Sequence, residues 1–341
     1  MRRRDVLFAL AGLFAAWPLR GARALADGWN DWTTPLGRQH PLAGRIWRSG
    51  ARDFVDPAGV ISELKQARFA LLGEKHDNPD HHRLQARIVT DLIGLGRRPA
   101  VAFEMFSTDQ EAALDRHIAA HPIDASGLGQ AVSWSKTGWP DWAQYEPIAK
   151  AALDAGLPIL AANLSQATIR NLARKGFAAL EPQRIAALGL DRPLPEAARA
   201  SARAEIIESH CGQLPDAMVD PMVNVMFARD AFMADVLAQA AHRRGTDGAV
   251  LIAGDGHVRV DRGVPWHLAR LAPGTVIRSL AFAEVHKSET APDDYAEAYQ
   301  ADRLPFDYVW FTARLDDLDP CETFADELRA TRNRGQPRPA P

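Results

Sequence analysis

Four short apolar runs in the sequence each end in side chains that can bind a ligand or move a proton. Such runs are typical of buried strands, and ligands of open parallel sheets bind beyond the carboxyl ends of the strands. We therefore expect the polar side chains at these four ends to converge on one site. They are Glu74 and His76, Glu104, Asn163, and Asp255 with His257.

Carboxylates and imidazoles in this combination could do three kinds of chemistry. His76 and His257 could provide nitrogen ligands, and Glu74 or Glu104 oxygen ligands, to a divalent metal such as zinc or manganese. The same groups could form an acid/base set, in which a carboxylate keeps one histidine basic for an esterase-like or protease-like hydrolase. They could also hydrogen-bond the propionates or the ring edge of a cofactor. Residue types and spacing leave all three open.

The motifs around these ends resemble those of one known family. They are Gly73-Glu74-x-His76 followed by His81, His82 and Gln85, then Ala102-Phe103-Glu104-Met105, Ala162-Asn163 and Gly254-x-Gly256-His257. In this order, over roughly residues 65 to 285, they resemble the ChaN family of haem-binding, iron-regulated proteins. Its superfamily also contains Tiki-type metalloproteases and erythromycin esterases. The resemblance implies an α/β fold with haem at the strand ends, a role in haem or iron uptake or trafficking, and a homodimer bridged by the cofactor.

In that family a tyrosine is the ligand of the haem iron, and this sequence has four tyrosines. Tyr145 lies in the segment 139–147, which resembles the family's Trp-x-x-Tyr-x-Pro pattern, so Tyr145 is the predicted phenolate ligand. The alternative is a tyrosine that packs against the neighbouring tryptophans with its hydroxyl hydrogen-bonded. Tyr308 lies in an apolar run and is predicted to be core, whereas Tyr295 and Tyr299 are predicted to lie on a helix surface.

Further predicted ligand-binding residues lie on helices. His81 and His82 begin a helix after the first run, and because neighbouring helical residues point about 100° apart, at most one of them can face the site. Arg229 lies on a later helix and could pair with a haem propionate. Methionines recur at helical spacing along that helix, which indicates either ordinary core or an apolar wall for a porphyrin. They are Met218, Met222, Met226 and Met233.

The order of apolar runs and amphipathic segments predicts the fold class. Strands are predicted at residues 69–72, 101–103, 157–162, 249–253, 275–281 and 308–312, with helical patterns between them. This alternation predicts an α/β fold whose mainly parallel sheet is covered by helices on both faces. Residues 181–244 lack a strand pattern and predict a helical insertion between the third and fourth motif-bearing strands.

The two ends of the chain differ in composition from the rest. Three arginines precede an apolar run from Val6 to Trp17, and small residues follow at 24–26, which is the order of a signal peptide, possible also as a twin-arginine signal. The run is too short to span a bilayer comfortably. We therefore expect cleavage near Ala26 and a soluble periplasmic protein without a stable membrane anchor. Residues 27–330 are predicted to form one domain, and residues 331–341 a disordered tail.

Composition narrows the choice of partners. The 341 residues carry a formal net charge of -3, so nothing predicts the basic face that nucleic-acid binding requires. An oxidising compartment would permit a disulfide between Cys211 and Cys321, a pairing that the sequence leaves open. The leading hypothesis is an exported, non-enzymatic haem-binding protein. A hydrolase that uses the strand-end residues and a scaffold whose polar strand ends only cap helices are the alternatives.

Overall fold

The computed structural model describes residues 28–319 and 321–322. Residues 28–31 belong to a first unit, and a second compact unit begins at Trp32. The predicted signal peptide and the predicted tail lie outside the described residues, so both stay predictions.

One sheet of eight strands forms the centre of the second unit. Its strands are β1 Ile46–Arg48, β2 Asp53–Val55, β3 Phe69–Glu74, β4 Pro99–Ser107, β5 Ile159–Asn163, β6 Gly248–Gly254, β7 Ile277–Glu284 and β8 Tyr308–Thr312. Their order in space is β2-β1-β8-β7-β3-β6-β4-β5. Strand β1 is antiparallel to both of its neighbours, and the other pairs are parallel. The predicted α/β fold with a mainly parallel sheet is confirmed.

Helices connect the parallel strands and cover the sheet. They are α1 Pro57–Gln66, α2 Pro79–Gly94, α3 Glu111–Ala120, α4 Leu128–Ala131, α5 Trp142–Asp154, α6 Gln166–Lys175, α7 Pro182–Leu188, α8 Glu196–Ser209, α9 Asp216–Ala240 and α10 Val264–Leu271. Helix α2 packs against α5 and β3, while α9 packs against α10, β4, β5 and β6. Because alternate strand residues point to opposite faces, Phe69 and Leu71 of β3 join the core that contains Leu237 of α9 and Leu268 of α10.

The predicted helical insertion contains α7, α8 and α9. A disulfide joins Cys211, just after α8, to Cys321, beyond β8, so the pairing that the sequence leaves open is formed. No helix of the described part of the chain is long and apolar enough to cross a membrane.

Several local features differ from the sequence-based expectations. Strand β3 does not stop at Gly73 but continues through Glu74, and Gly73 passes so close to the segment after β6 that a Cβ there would clash with Val258. Strands β1 and β2 have three residues each, too few to show a periodic pattern.

The prediction that Tyr295 and Tyr299 lie on a helix surface is wrong. Both follow β7 in short turns that fold back onto the core. Tyr295 is buried, and its hydroxyl accepts a hydrogen bond from the His286 backbone N–H at 2.9 Å. Tyr299 is partly buried against Phe306, with 4.9 Å between the ring centroids. Tyr308 is a core residue of β8, as predicted.

Candidate functional site

The four strand ends that carry the predicted site residues lie side by side in the sheet. Strand β6 pairs with β3 on one side and with β4 on the other, and β5 pairs with β4. Glu74, the last residue of β3, is paired in register with Gly254, the last residue of β6. The structure therefore brings the predicted side chains to one edge of the sheet, where they form two clusters and one separate pair.

The first cluster surrounds Glu74, which is 1% exposed. His76 Nδ1 lies 3.0 Å from Glu74 Oε1, and His82 Nδ1 lies 3.0 Å from Glu74 Oε2. The Tyr145 hydroxyl donates a hydrogen bond of 2.9 Å to Oε1. Burial alone would raise the pKa of Glu74, but the neighbouring His82 and His76 outweigh it and lower this pKa to about 2. Glu74 is thus an ionised carboxylate held by three side chains.

Tyr145, the predicted iron ligand, lies on α5 behind Glu74. It is fully buried, and its ring packs against His82 and Trp134 with centroid distances of 4.2 and 5.2 Å. Burial and the Glu74 charge raise the pKa of its hydroxyl, which opposes the phenolate form. The packing and the hydrogen-bonded hydroxyl match the structural alternative given for Tyr145, while its role towards iron stays a prediction.

The adjacent histidines at the start of α2 point in different directions, as helix geometry requires. His82 faces Glu74, and its Nε2 donates to the His76 carbonyl oxygen at 2.9 Å. His81 faces away from the site: its Nδ1 accepts from the Lys75 backbone N–H at 2.9 Å, and its Nε2 lies 2.9 Å from Thr312 Oγ1. Burial lowers the pKa of His81 to about 3. His81 is therefore a neutral structural residue that ties α2 to β8.

The second cluster surrounds Glu104, which is 2% exposed on β4. Glu104 Oε1 accepts from Arg229 Nη2 at 2.5 Å and lies 3.3 Å from His257 Nε2, while Oε2 accepts from the Gly254 backbone N–H at 2.7 Å. Arg229 Nε also donates to Asn163 Oδ1 at 3.0 Å. Burial would raise the pKa of Glu104, but His257 and Arg229 hold it well below its ordinary value. Arg229 thus bridges Glu104 and Asn163.

Asp230 is a member of this cluster that the sequence-based interpretation missed. It lies on α9 next to Arg229, is fully buried, and its Oδ1 is 2.5 Å from His257 Nδ1. Burial would lower the pKa of His257, but the charges of Glu104 and Asp230 raise it to about 9. A single acidic residue in the apolar stretch Val225–Ala234 was the available signal, because a buried carboxylate needs a partner.

A pair outside the two clusters joins Asp255, after β6, to Tyr299. The Tyr299 hydroxyl donates to Asp255 Oδ2 at 3.0 Å. Burial and the nearby Glu205 carboxylate raise the pKa of Asp255 to about 6. Burial and the Asp255 charge also hold the pKa of Tyr299 above its ordinary value. Sequence patterns did not identify Tyr299, because it lies 44 residues from its partner.

Two cavities meet at this edge of the sheet. A polar cavity of about 840 Å³ is lined by Glu74, His76 and His257 from the two clusters and by the pair Asp255 and Tyr299. An apolar pocket of about 300 Å³ lies next to it. Its lining contains Ile169, Ala173, Ile206, Met222, Val225 and Met226, together with Arg229. Because Glu205, Gly256 and His257 line both spaces, the combined site suits a ligand with an apolar body and polar groups.

The methionines of α9 divide between the two predicted roles, ordinary core and an apolar wall for a porphyrin. Met222 and Met226 line the apolar pocket, whereas Met233 belongs to the main core. Met218 is 44% exposed and joins neither. Among the described residues, no group of three or more His, Cys, Asp or Glu is placed to hold a metal ion. The site histidines instead lie beside carboxylates.

Comparisons with known proteins agree with this architecture. A protein-family model described as haem-binding uptake, Tiki superfamily, ChaN matches residues 60–268, which is more than half of the chain. None of the curated proteins matches the sequence significantly.

Among solved structures, the chain is similar to ChaN of Campylobacter jejuni, described as showing cofacial haem binding. The two share 23% identity with a TM-score of 0.57, over 78% of this chain and 95% of that one, so the likeness shows the fold. The type III effector HopBA1 is more distant, with 10% identity, a TM-score of 0.41, and coverage of 74% and 91%. A mutant of the erythromycin esterase EreC in its open conformation has 13% identity, a TM-score of 0.38, and coverage of 67% and 72%. Neither is close enough to support an inference.

Proposed function

This chain belongs to the ChaN family of haem-binding uptake proteins, in the Tiki superfamily, and we propose that it binds haem at the carboxyl ends of β3, β6 and β4. The observation that carries the proposal is the junction of the polar cavity with the apolar pocket at His257. Haem has the matching character, a large apolar ring with two carboxylates on one edge. We propose that the protein takes part in haem or iron uptake or trafficking.

The described residues supply the groups that such a ligand needs. Met222, Met226 and Ile206 offer apolar contacts for the porphyrin. Their neighbour His257 has its pKa raised to about 9, so its imidazole is protonated at neutral pH and can donate hydrogen bonds to propionates. The hydrogen bond with Glu74 and the Glu104 charge also raise the pKa of His76, which favours its protonated form. Arg229 lines the pocket but is engaged by Glu104 and Asn163, so it would act mainly by keeping those groups in place.

Two tyrosines compete for the role of iron ligand. Tyr145, predicted from the sequence, would have to give up its hydrogen bond to Glu74, and it is not among the residues that line the two cavities. The Tyr299 hydroxyl is also hydrogen-bonded to a carboxylate and its pKa is also raised, but Tyr299 lines the polar cavity. Its acceptor Asp255, with a pKa of about 6, is also a stronger base for the hydroxyl proton than Glu74, with a pKa of about 2. Bound haem would supply a ferric iron that favours a phenolate oxygen. On this geometry we assign the ligand role to Tyr299.

The test is a haemin titration followed by absorbance. We expect a Soret band that shifts on binding, and loss of the phenolate-to-iron charge-transfer band in Tyr299→Phe but not in Tyr145→Phe. Tyr295→Phe is the matched control, because Tyr295 lines the same cavity with its hydroxyl engaged by the backbone of His286. Loss of the band in Tyr145→Phe alone would return the role to Tyr145. A Soret band that stays at the position of free haemin in the presence of the wild-type protein would refute haem binding.

The hydrolase hypothesis fits the same residues less well. A general base must be unprotonated at working pH, but the Glu104 and Asp230 charges keep His257 protonated until about pH 9. A metal-dependent hydrolase would need a ligand cluster, which the described residues do not form. We therefore expect purified protein to bind haemin without hydrolysing ester substrates.

Export and assembly complete the proposal. The basic and apolar start of the chain, residues 1–26, supports delivery to the periplasm as a soluble protein. The family resemblance supports a homodimer bridged by haem. Light scattering with and without haemin tests the second point: a mass that doubles on haemin addition supports it, and an unchanged mass contradicts it. Fractionation of cells that express the full chain tests delivery to the periplasm as a soluble protein.

A further inference from the structure

Asp230 is a buried carboxylate in the middle of α9, at a position where packing alone would favour an apolar side chain. Its side chain is fully buried, and its neighbours on α9 include Phe227, Ala231 and Ala234. Oδ1 contacts His257 Nδ1 at 2.5 Å, whereas Oδ2 has no hydrogen-bond partner among the described residues. Burying a carboxylate is unfavourable unless it is paired. His257 is the side chain that pairs with Asp230.

Two neighbouring residues of α9 contact different members of the Glu104 cluster. Consecutive helical residues point about 100° apart, so Arg229 reaches Glu104 while Asp230 reaches His257. His257 Nε2 in turn lies 3.3 Å from Glu104 Oε1. Asp230 and Glu104 thus contact the two ring nitrogens of His257, which limits rotation of the imidazole.

We infer that Asp230 is a positioning residue that holds the Nδ1–H of His257, so that the Nε2–H, which lies 3.3 Å from Glu104 Oε1, stays where the two cavities meet and can also donate to a carboxylate of the ligand. The inference deepens the proposed function, on which it rests for the identity of the ligand as haem. His257 is suited to this task because it lines both cavities. A hydrogen bond to a charged group is commonly worth about 10- to 100-fold in an equilibrium constant, which is the loss expected when its donor is no longer held in place.

The first test uses the protein without haem. Asp230→Asn keeps the shape of the side chain but removes its charge, and Asp220→Asn is the matched control, because Asp220 lies on the same helix and pairs with Arg199 at the surface. We expect imidazole nitrogen resonances to show that His257 titrates at least about one unit lower in Asp230→Asn, a tenfold change in proton affinity, and unchanged in the control. The charged groups near His257 that share in this titration are Glu104, Asp230, Arg229 and His76.

The second test compares two probes, haemin and its dimethyl ester, which lacks the carboxylates. We expect Asp230→Asn to weaken haemin binding by about tenfold or more and to leave binding of the ester nearly unchanged. An equal loss for both probes would overturn the assignment, because the effect would then be structural. His257 resonances that are the same in Asp230→Asn and wild type would also overturn it.

Two outcomes need a separate arm. If Asp230→Asn does not fold, the wild-type protein tests the contact between Asp230 and His257. A hydrogen bond as short as theirs requires a strongly downfield proton resonance for His257 Nδ1–H, and the absence of this resonance refutes the contact. If the resonances change as expected but the wild-type protein binds no haemin, the positioning role stands and the proposed function fails.

Discussion

Asp255 gives a prediction in which removing a site residue increases stability. Burial and the Glu205 charge raise its pKa from 3.8 to about 6, so the folded state binds the proton more tightly than the unfolded state. The stability from this group is fully present below pH 3.8 and is lost as the pH rises through 6. A difference of roughly two pKa units corresponds to about 3 kcal/mol, an upper bound here because the side chain is partly exposed.

The perturbation is Asp255→Asn, which keeps an oxygen to accept the Tyr299 hydrogen bond but cannot ionise. Urea unfolding at about pH 4 and about pH 7.5 is the assay, and we expect the variant to gain up to about 3 kcal/mol over wild type as the pH rises between these values. The gain would come with weaker haemin binding, since the proton acceptor of Tyr299 is lost.

Asp80→Asn is the control with the opposite sign. Burial would raise the pKa of Asp80, but hydrogen bonds from the backbone N–H groups and hydroxyls of Thr33 and Thr34 lower it. This variant should lose stability at neutral pH and approach wild type as the pH falls below the ordinary range of an aspartate. An Asp255→Asn variant that is less stable than wild type at about pH 7.5 would refute the reasoning, because it would mean that the charged carboxylate stabilises the fold.

Three further predictions concern the disulfide, a close glycine contact and one histidine. Replacing Cys211 and Cys321 by serine opens a loop of 110 residues and should lower the free energy of unfolding by about 4.8 kcal/mol in the chain-entropy limit; an unchanged urea midpoint would contradict this. Gly254→Ala would place a Cβ 3.0 Å from His76 Nε2, so the imidazole must shift, and the loss of one charge-assisted hydrogen bond should lower haemin affinity about tenfold with the circular dichroism spectrum retained. Stability should decrease as the pH rises from 6.5 through about 9, where His257 loses its proton, and His257→Gln should remove that decrease.

The sequence determined which residues stand at the strand ends, because an apolar run followed by polar residues is a local pattern that β3, β4, β5 and β6 each display. It also determined the α/β class, from the alternation of strand and helix periods. Adjacency on α2 was enough to predict that His81 and His82 could not both face the site. These properties depend on neighbours in the chain, which the sequence contains.

Only the tertiary structure decided which partner each of those residues has. Strand β6 lies between β3 and β4 in space although it follows both in the chain, and the pleat turns Glu74 towards α2 and α5 but Glu104 towards α9. Asp230 and Tyr299 enter the site from segments distant in sequence, and Tyr145 turns towards Glu74 instead of a cavity. A helix that rotates by one residue, about 100°, presents a different side chain. Packing of the whole core sets that rotation, and no local pattern records it.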